Sequence, residues 1–175
     1  MARPSPLTHL DRDGRPTMVD VSAKEVTLRR AEARAEVRLS AAADRALRDG
    51  TLKKGGARDV VRLAAIGAAK QTAQLIPLCH PLRLTRVDAE LARVRPGRWS
   101  VTAEVTALDR TGVEMEAMTA AAVGALALYD MVKAVDRAAA IESVVLLAKS
   151  GGKSGDFRRA PAAARRRAAR RGAAK

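Results

Sequence analysis

Hydrophobic and polar residues alternate along several stretches of the chain, which is the pattern of strands with one buried face. Residues 31–39 (AEARAEVRL) alternate small apolar residues with charged ones. The same period of two recurs in residues 84–94 and 99–107, and the turn-forming sequence RPGR at 95–98 separates them. We therefore expect a strand, then a hairpin, and finally a short apolar strand at 141–148.

Other stretches carry their apolar residues at helical spacing. Ser40 is placed to cap a short helix that ends at Gly50. Residues 57–75 predict a second helix, and residues 113–138 predict a third that is apolar or small on most sides. We expect this third helix to be buried against a sheet and against another subunit.

The predicted elements follow one another in the order strand, two helices, strand, strand, helix, strand. With the two helices taken as one, the order is βαββαβ, the arrangement of ferredoxin-like domains. The sequence therefore predicts an α+β fold in which helices pack against an antiparallel sheet. We expect one domain over residues 26–157, after an irregular N-terminal lead over 1–25.

Positive charge is concentrated at the end of the chain. The net charge is +14, and residues 158–175 contain eight Arg and Lys residues and no acidic one. An Ala/Arg segment has little to bury, so we expect a disordered tail. Such a tail is either simply solvated or an anchor for nucleic acid or another polyanion.

Composition excludes several classes of protein. Hydrophobic residues make up 47% and charged residues 30% of the 175, which is typical of a globular domain. We expect no membrane span and no secretory leader, because residues 1–20 lack an apolar core. Cys79 is the single cysteine, which excludes an intrachain disulfide and, with only two histidines, argues against a zinc site. A cytoplasmic protein without a dedicated metal site is the expectation.

A proline-bracketed segment at 77–81 (PLCHP) carries the first candidate residues, Cys79 and His80. Prolines restrict the backbone, and a rigid loop is a good mount for an imidazole that binds an anion or moves a proton. The alternative is an ordinary proline-rich turn.

A second candidate is the acidic stretch TGVEME at 111–116. Thr111 and Glu114 fit a capping box, in which Glu114 would only satisfy a backbone N–H. Glu114 and Glu116 lie roughly 200° apart on a helix, so both can reach one ligand only if this stretch is extended or turning. Carboxylates suit the N–H groups of a purine or a pterin.

Asp130 and Lys133, three residues apart on the third helix, are the next candidates, as either an ion pair or an acid/base pair. Glu116 and Asp130 are separated by roughly 21 Å along a straight helix. One small ligand can touch both only if the ligand is long, the helix breaks, or two subunits form the pocket. We favour the composite pocket.

A glycine-rich basic loop at 149–155 (KSGGKSG) resembles the end of an NTPase P-loop. Leu147 stands where that motif needs Gly, and no helix follows, so an NTPase loop is excluded. The interpretation that stays open is a flexible loop in which Lys149 and Lys153 contact phosphate. Lys54, in KKGG, is a weaker signal of the same kind.

Taken together, these motifs resemble the MoaC-type cyclic pyranopterin monophosphate synthases of molybdenum cofactor biosynthesis. The resemblance extends over residues 7–157. It is carried by five segments: MVDVSAK at 18–24, LIPLCHPL at 75–82, TGVEMEA at 111–117, YDMVKAV at 129–135 and LAKSGGKSGDF at 147–157.

The resemblance implies the substrate 3′,8-cyclo-7,8-dihydro-GTP and the products cyclic pyranopterin monophosphate and pyrophosphate. It implies a hexamer, a trimer of dimers with active sites between subunits. No cofactor is implied beyond Mg²⁺ that could accompany the triphosphate. By their motifs, Asp130, Lys133 and Lys54 resemble the catalytic residues. Those resembling substrate-binding residues are Leu78, Cys79, His80, Glu114, Met115 and Glu116, with Lys149 and Lys153 as phosphate contacts.

The sequence departs from the family pattern at four positions. Gly56 stands where the family usually has Asp, Val60 where Thr is common, Ala65 where Gly is common, and Arg110 where Lys is usual. Arg110 keeps the positive charge but not the ability to transfer a proton. Two alternatives therefore stay open: a ligand-binding homologue with impaired catalysis, and a basic nucleic-acid-binding protein that uses its tail.

Overall fold

A computed structural model describes residues 13–160 of the chain. After a turn at residues 22–24, the strands and helices are, in order, β1 (Thr27–Arg38), α1 (Ala41–Arg48), α2 (Ala57–Lys70), α3 (Thr72–Leu75), β2 (Leu84–Arg95), β3 (Arg98–Asp109), α4 (Glu114–Val132), β4 (Ala140–Ser150) and β5 (Phe157–Arg158).

All five strands form one antiparallel sheet in the order β2-β3-β1-β4-β5. In the middle of the sheet, Ala33 of β1 lies between Ala103 of β3 and Leu146 of β4. The helices pack on one face, chiefly α2 and α4. The α+β, ferredoxin-like fold predicted from the element order is therefore confirmed.

Small residues let the helices approach the sheet closely. The inward-facing positions Ala31, Ala33 and Ala35 of β1 are fully or almost fully buried. In α4, a Cβ added at Gly124 would lie 2.8 Å from Cγ1 of Val101 on β3. Gly124 thus allows α4 to contact the sheet of its own subunit, a contact that any larger side chain would obstruct.

The apolar character of α4 reflects its place in the core of the domain. The helix is long and apolar enough to cross a membrane, but more than half of that stretch is buried inside the domain. The burial comes from the sheet on one side and α2 on another.

Two predicted helices end earlier in the structure. The helix predicted over 57–75 is interrupted at Gln71, where the Thr72 hydroxyl hydrogen-bonds to the carbonyls of residues 68 and 69. The helix predicted over 113–138 ends at Val132. Beyond it the chain turns tightly, with the backbone N–H of Asp136 donating to the Val132 carbonyl at 2.9 Å.

Strand β5 was not expected from the sequence. Arg158, assigned to the tail, lies in this strand, and the backbone N–H of Arg159 donates to the Leu147 carbonyl at 2.7 Å. The paired region thus continues beyond residue 157. The remainder of the predicted tail, 161–175, and residues 1–12 of the lead lie outside the described residues.

Candidate functional site

A cavity of about 410 Å³ lies beside the N-terminal end of α4. Three loops form it: the irregular lead, the proline-bracketed segment and the turn before α4. Its lining residues are Val19, Val21, Lys24, Leu78, Cys79, His80, Leu82, Thr111, Gly112, Glu114, Met115 and Glu116. The structure therefore brings together six residues that the resemblance assigned to substrate binding.

Glu116 is the most unusual group in this cavity. It is only 4% exposed, and its Oε2 atom has no hydrogen-bond partner among the described residues. Burial disfavours the charged form and raises the pKa of Glu116 to about 7, and the negative charge of Glu114 adds to the rise. Glu116 therefore titrates near neutral pH.

Glu114 does not act as a helix cap. The N-cap position of α4 is occupied by Val113 without a side-chain cap, and Thr111 makes no capping box, so that interpretation is wrong. Instead, the Glu114 carboxylate pairs with Lys149 at 3.2 Å. A Cβ at Gly112 would lie 1.8 Å from Oε2 of Glu114, so the glycine leaves the space that this carboxylate occupies.

The basic glycine loop lies next to this carboxylate. Lys149, near the end of β4, also donates to the Ser154 hydroxyl at 2.5 Å, which closes the loop across its base. Gly151 has a φ of +91°, and a Cβ there would lie 2.1 Å from the Leu28 carbonyl oxygen. Lys153 is exposed and does not line the cavity.

The proline-bracketed segment forms an irregular wall of the cavity. The backbone N–H of Cys79 donates to the Ile76 carbonyl at 3.0 Å, which fixes a turn just before His80. Burial raises the pKa of the Cys79 thiol, and the negative charge of Glu116 acts in the same direction. Cys79 is therefore a neutral thiol that lines the cavity, and a neutral thiol is a poor nucleophile.

The predicted catalytic residues form a second cluster at the C-terminal end of α4. Asp130 pairs with Lys133 at 2.6 Å and with Lys54 from the loop before α2. Hydrogen bonds from Lys133 and Lys54 lower the pKa of Asp130 to about 2. The hydrogen bond to Asp130, and its negative charge, raise the pKa of Lys133. All three side chains are about half exposed, so this ion pair adds little to stability.

The two clusters cannot meet within one subunit. Helix α4 is continuous from Glu114 to Val132, which excludes the helix break considered above. Fourteen residues separate Glu116 from Asp130, which is roughly 21 Å along the axis. Within residues 13–160 there is also no group of three or more His, Cys, Asp or Glu side chains arranged to hold a metal ion.

Comparison with protein families decides the classification. The MoaC family model matches residues 18–152, about three quarters of the chain. The chain belongs to the MoaC family. The match includes every residue of both clusters, and of the other candidate site residues it leaves out Lys153.

Curated relatives within the MoaC family share about half of their residues with this chain. A protein of Mycobacterium tuberculosis named cyclic pyranopterin monophosphate synthase 1 is 51% identical over 153 residues, 87% of this chain and 90% of that protein. Cyclic pyranopterin monophosphate synthase of Parvibaculum lavamentivorans is 51% identical, covering 87% and 96%. That of Trichodesmium erythraeum is 52% identical, covering 86% and 92%.

Two departures from the MoaC pattern now have structural positions. Gly56 is the N-cap of α2 and provides no side-chain cap, so the Asp of other family members would fill a capping position there. Arg110 lies in the turn before α4, where its backbone N–H donates to the Asp109 carboxylate at 2.8 Å. Neither residue is an acid or base in the two clusters.

Arg29 is a buried residue next to the candidate site that the motifs did not reveal. It is 8% exposed and donates to the carbonyls of Asp109 and Arg110 at 3.3 and 3.2 Å. A Cβ at Gly152 would lie 1.4 Å from its Nη1 atom. Arg29 therefore joins the turn before α4 to the glycine loop. One feature of the sequence could have indicated the role of Arg29. It is an arginine at an inward-facing position of β1, and most other such positions of the strand hold alanine.

Proposed function

We propose that the protein converts 3′,8-cyclo-7,8-dihydro-GTP to cyclic pyranopterin monophosphate and pyrophosphate. Membership of the MoaC family, and relatives named for this synthase activity, support a role as an enzyme of molybdenum cofactor biosynthesis. One structural observation carries the proposal furthest. The Glu116 carboxyl, buried and with no partner for its Oε2 atom among residues 13–160, shares a cavity with the Lys149-paired Glu114, an arrangement that can accept the N–H groups of a guanine-derived ring.

The cavity at the N-terminal end of α4 suits the heterocycle and the phosphates. The carboxyl groups of Glu114 and Glu116 match N–H groups of a guanine-derived ring, and His80 and Met115 line the same space. Lys149 offers positive charge at its edge, where Lys153 extends the basic loop. In this proposal the protein requires no cofactor of its own, and any Mg²⁺ arrives on the oxygens of the triphosphate.

The second cluster suits proton transfer. At neutral pH Asp130 is ionised and Lys133 is an ammonium, because each lies beside the opposite charge. The lysines therefore carry the protons that can be donated, and Asp130 orients them. Closure of the cyclic phosphate forms a bond from a substrate hydroxyl oxygen to the α-phosphorus while the bond to pyrophosphate breaks. The hydroxyl proton passes to the Asp130 carboxylate, and the lysine cations beside it stabilise the leaving pyrophosphate.

The active site is completed by a second subunit in this proposal. The continuous helix α4 keeps the clusters roughly 21 Å apart, which is too far for both to contact one reacting centre. Exposed leucines on the outer side of the helical layer, Leu63 and Leu126, support further association. The proposed assembly is a cytoplasmic hexamer, a trimer of dimers, in line with the resemblance described above.

The proposal is tested by incubating the purified full chain with 3′,8-cyclo-7,8-dihydro-GTP and following both products. Equal amounts of cyclic pyranopterin monophosphate and pyrophosphate are expected. Binding without product would contradict catalysis and indicate a ligand-binding homologue. A chain ending at Ala160 is the matched control, because it retains β5 and the Arg159 contacts while removing the rest of the basic tail. It should keep full turnover, whereas a function in nucleic-acid binding would depend on the tail.

A further inference from the structure

Asp136 is a buried carboxylate outside both clusters, in the turn after α4. It is only 7% exposed. Its Oδ2 atom accepts the backbone N–H of Ser40 at 2.6 Å, and its Oδ1 atom accepts that of Ala138 at 3.1 Å. One side chain therefore joins the start of α1 to the turn between α4 and β4.

The segments that Asp136 joins are those that carry the second cluster. Ser40 is the N-cap of α1, and the chain leaving α1 passes through buried Leu52 to Lys54. A tight turn fixes this passage, since the backbone N–H of Gly55 donates to the Leu52 carbonyl at 3.0 Å. On the other side, Asp130 and Lys133 lie within the last turn of α4 and directly after it.

Lys54 depends on the relative position of these segments. Its Nζ atom donates to the side chain of Asp130 and, at 3.2 Å, to the Asp130 backbone carbonyl. No other ion-pair partner of Lys54 exists among residues 13–160. A small shift of α1 relative to α4 would therefore separate Lys54 from Asp130 while leaving the Lys133–Asp130 pair, which lies on one segment, intact.

We propose that Asp136 is a positioning residue that fixes α1 against the end of α4 and thereby holds Lys54 in contact with Asp130. Asp136 touches neither cluster, so it would act only through the backbone at Ser40 and Ala138. The hydrogen bonds of Asp136 to Ser40 and Ala138 support this role in holding Lys54. Its consequence for turnover rests on the proposed function.

The test follows the ionisation of Asp130 by NMR of a carboxyl-labelled full chain between about pH 2 and pH 6. The wild-type carboxyl is expected to begin to protonate only at the acidic end of this range, because its pKa is about 2. In Asp136→Ala, loss of the Lys54 contact should shift the titration of Asp130 upward by roughly one pH unit. Asp136→Asn keeps one carbonyl acceptor and should give a smaller shift. If Asp136→Ala does not fold, the Asn variant alone decides the outcome.

The matched control is Val105→Ala, a truncation in the middle of β3 that pairs with β1 and β2 away from α1. It removes core packing without touching the Ser40 contact, so the Asp130 titration should not move. An unchanged Asp130 titration in a folded Asp136 variant would overturn the proposal. If the wild-type protein is active, Asp136→Ala should have a kcat roughly tenfold to a hundredfold lower than wild type, with little change in KM. Inactive wild type would contradict the proposed function and leave the NMR result to decide this inference.

Discussion

Replacing Glu116 by Gln should make the protein more stable at alkaline pH while changing little in acid. The side chain is buried, its Oε2 atom lacks a partner, and no cation lies within ion-pair distance among the described residues. Ionisation of Glu116 is therefore unfavourable in the folded state. Glutamine has nearly the same shape as protonated glutamate but cannot ionise.

The magnitude follows from the pKa of Glu116, which rises from 4.5 to about 7 on folding. Each pH unit corresponds to 1.36 kcal/mol, so the full difference is about 3 kcal/mol. Solvent in the adjoining cavity makes this an upper bound. Below the unfolded pKa both states are protonated and Glu116 costs nothing. Between the unfolded pKa of 4.5 and the folded pKa of about 7, the free energy of unfolding of wild type falls as pH rises, and the loss is complete above the folded pKa.

The assay is urea unfolding of wild type and Glu116→Gln at several pH values from about 4 to 8, at one protomer concentration. Contributions of ionisable groups that do not interact with Glu116 are common to both proteins and cancel in the difference. We expect similar free energies of unfolding at the acidic end and an advantage of up to about 3 kcal/mol for Gln at the alkaline end. A difference that does not vary with pH would refute the reasoning.

Three further predictions concern other parts of the molecule. Asp130→Asn and Lys133→Ala should each remain folded by circular dichroism and lose at least about a hundredfold in turnover; unfolding would instead indicate a structural ion pair. Gly151→Ala should lower the melting temperature and raise KM, because the new Cβ meets a backbone oxygen at 2.1 Å; an unchanged KM would contradict the role of the loop. Asp44→Ala should lose roughly 2–4 kcal/mol in urea unfolding, because the Trp99 indole and Arg93 lose their buried acceptor; a loss below 1 kcal/mol would contradict this.

Most of the fold could be predicted because its signals are local. Alternation located β1, β2 and β3, three of the four long strands. Ser40 accepts the Ala43 backbone N–H at 3.3 Å as the predicted cap of α1. The end of α4 could not be predicted, since residues 133–138 continue a helix-compatible pattern. There a long-range hydrogen bond from Ser40 to Asp136 competes with the helix. Strand β5 is only two residues long, too short for any periodicity.

The sequence predicted which residues belong to the candidate site, but it did not predict which of them contact one another. Motifs and resemblance named Glu114 and Lys149, which are 35 positions apart in sequence. Only the sheet order, which brings the end of β4 beside the start of α4, pairs them at 3.2 Å. The capping box was misleading for the same reason, because a nearby lysine outcompetes a backbone N–H for the carboxylate. The role of Arg29 likewise depends on contacts across the fold.

Subunit complementation tests the central claim that the clusters at the two ends of α4 act in one active site shared between subunits. Glu116→Ala lacks the first cluster's carboxyl, and Lys133→Ala lacks the second cluster's ammonium, so each variant alone should be inactive. In mixed oligomers assembled at equal amounts, roughly one site in four should contain both native residues, and pyrophosphate release should return to that fraction of wild type. Mixed oligomers without activity, formed from folded subunits, would contradict the shared site.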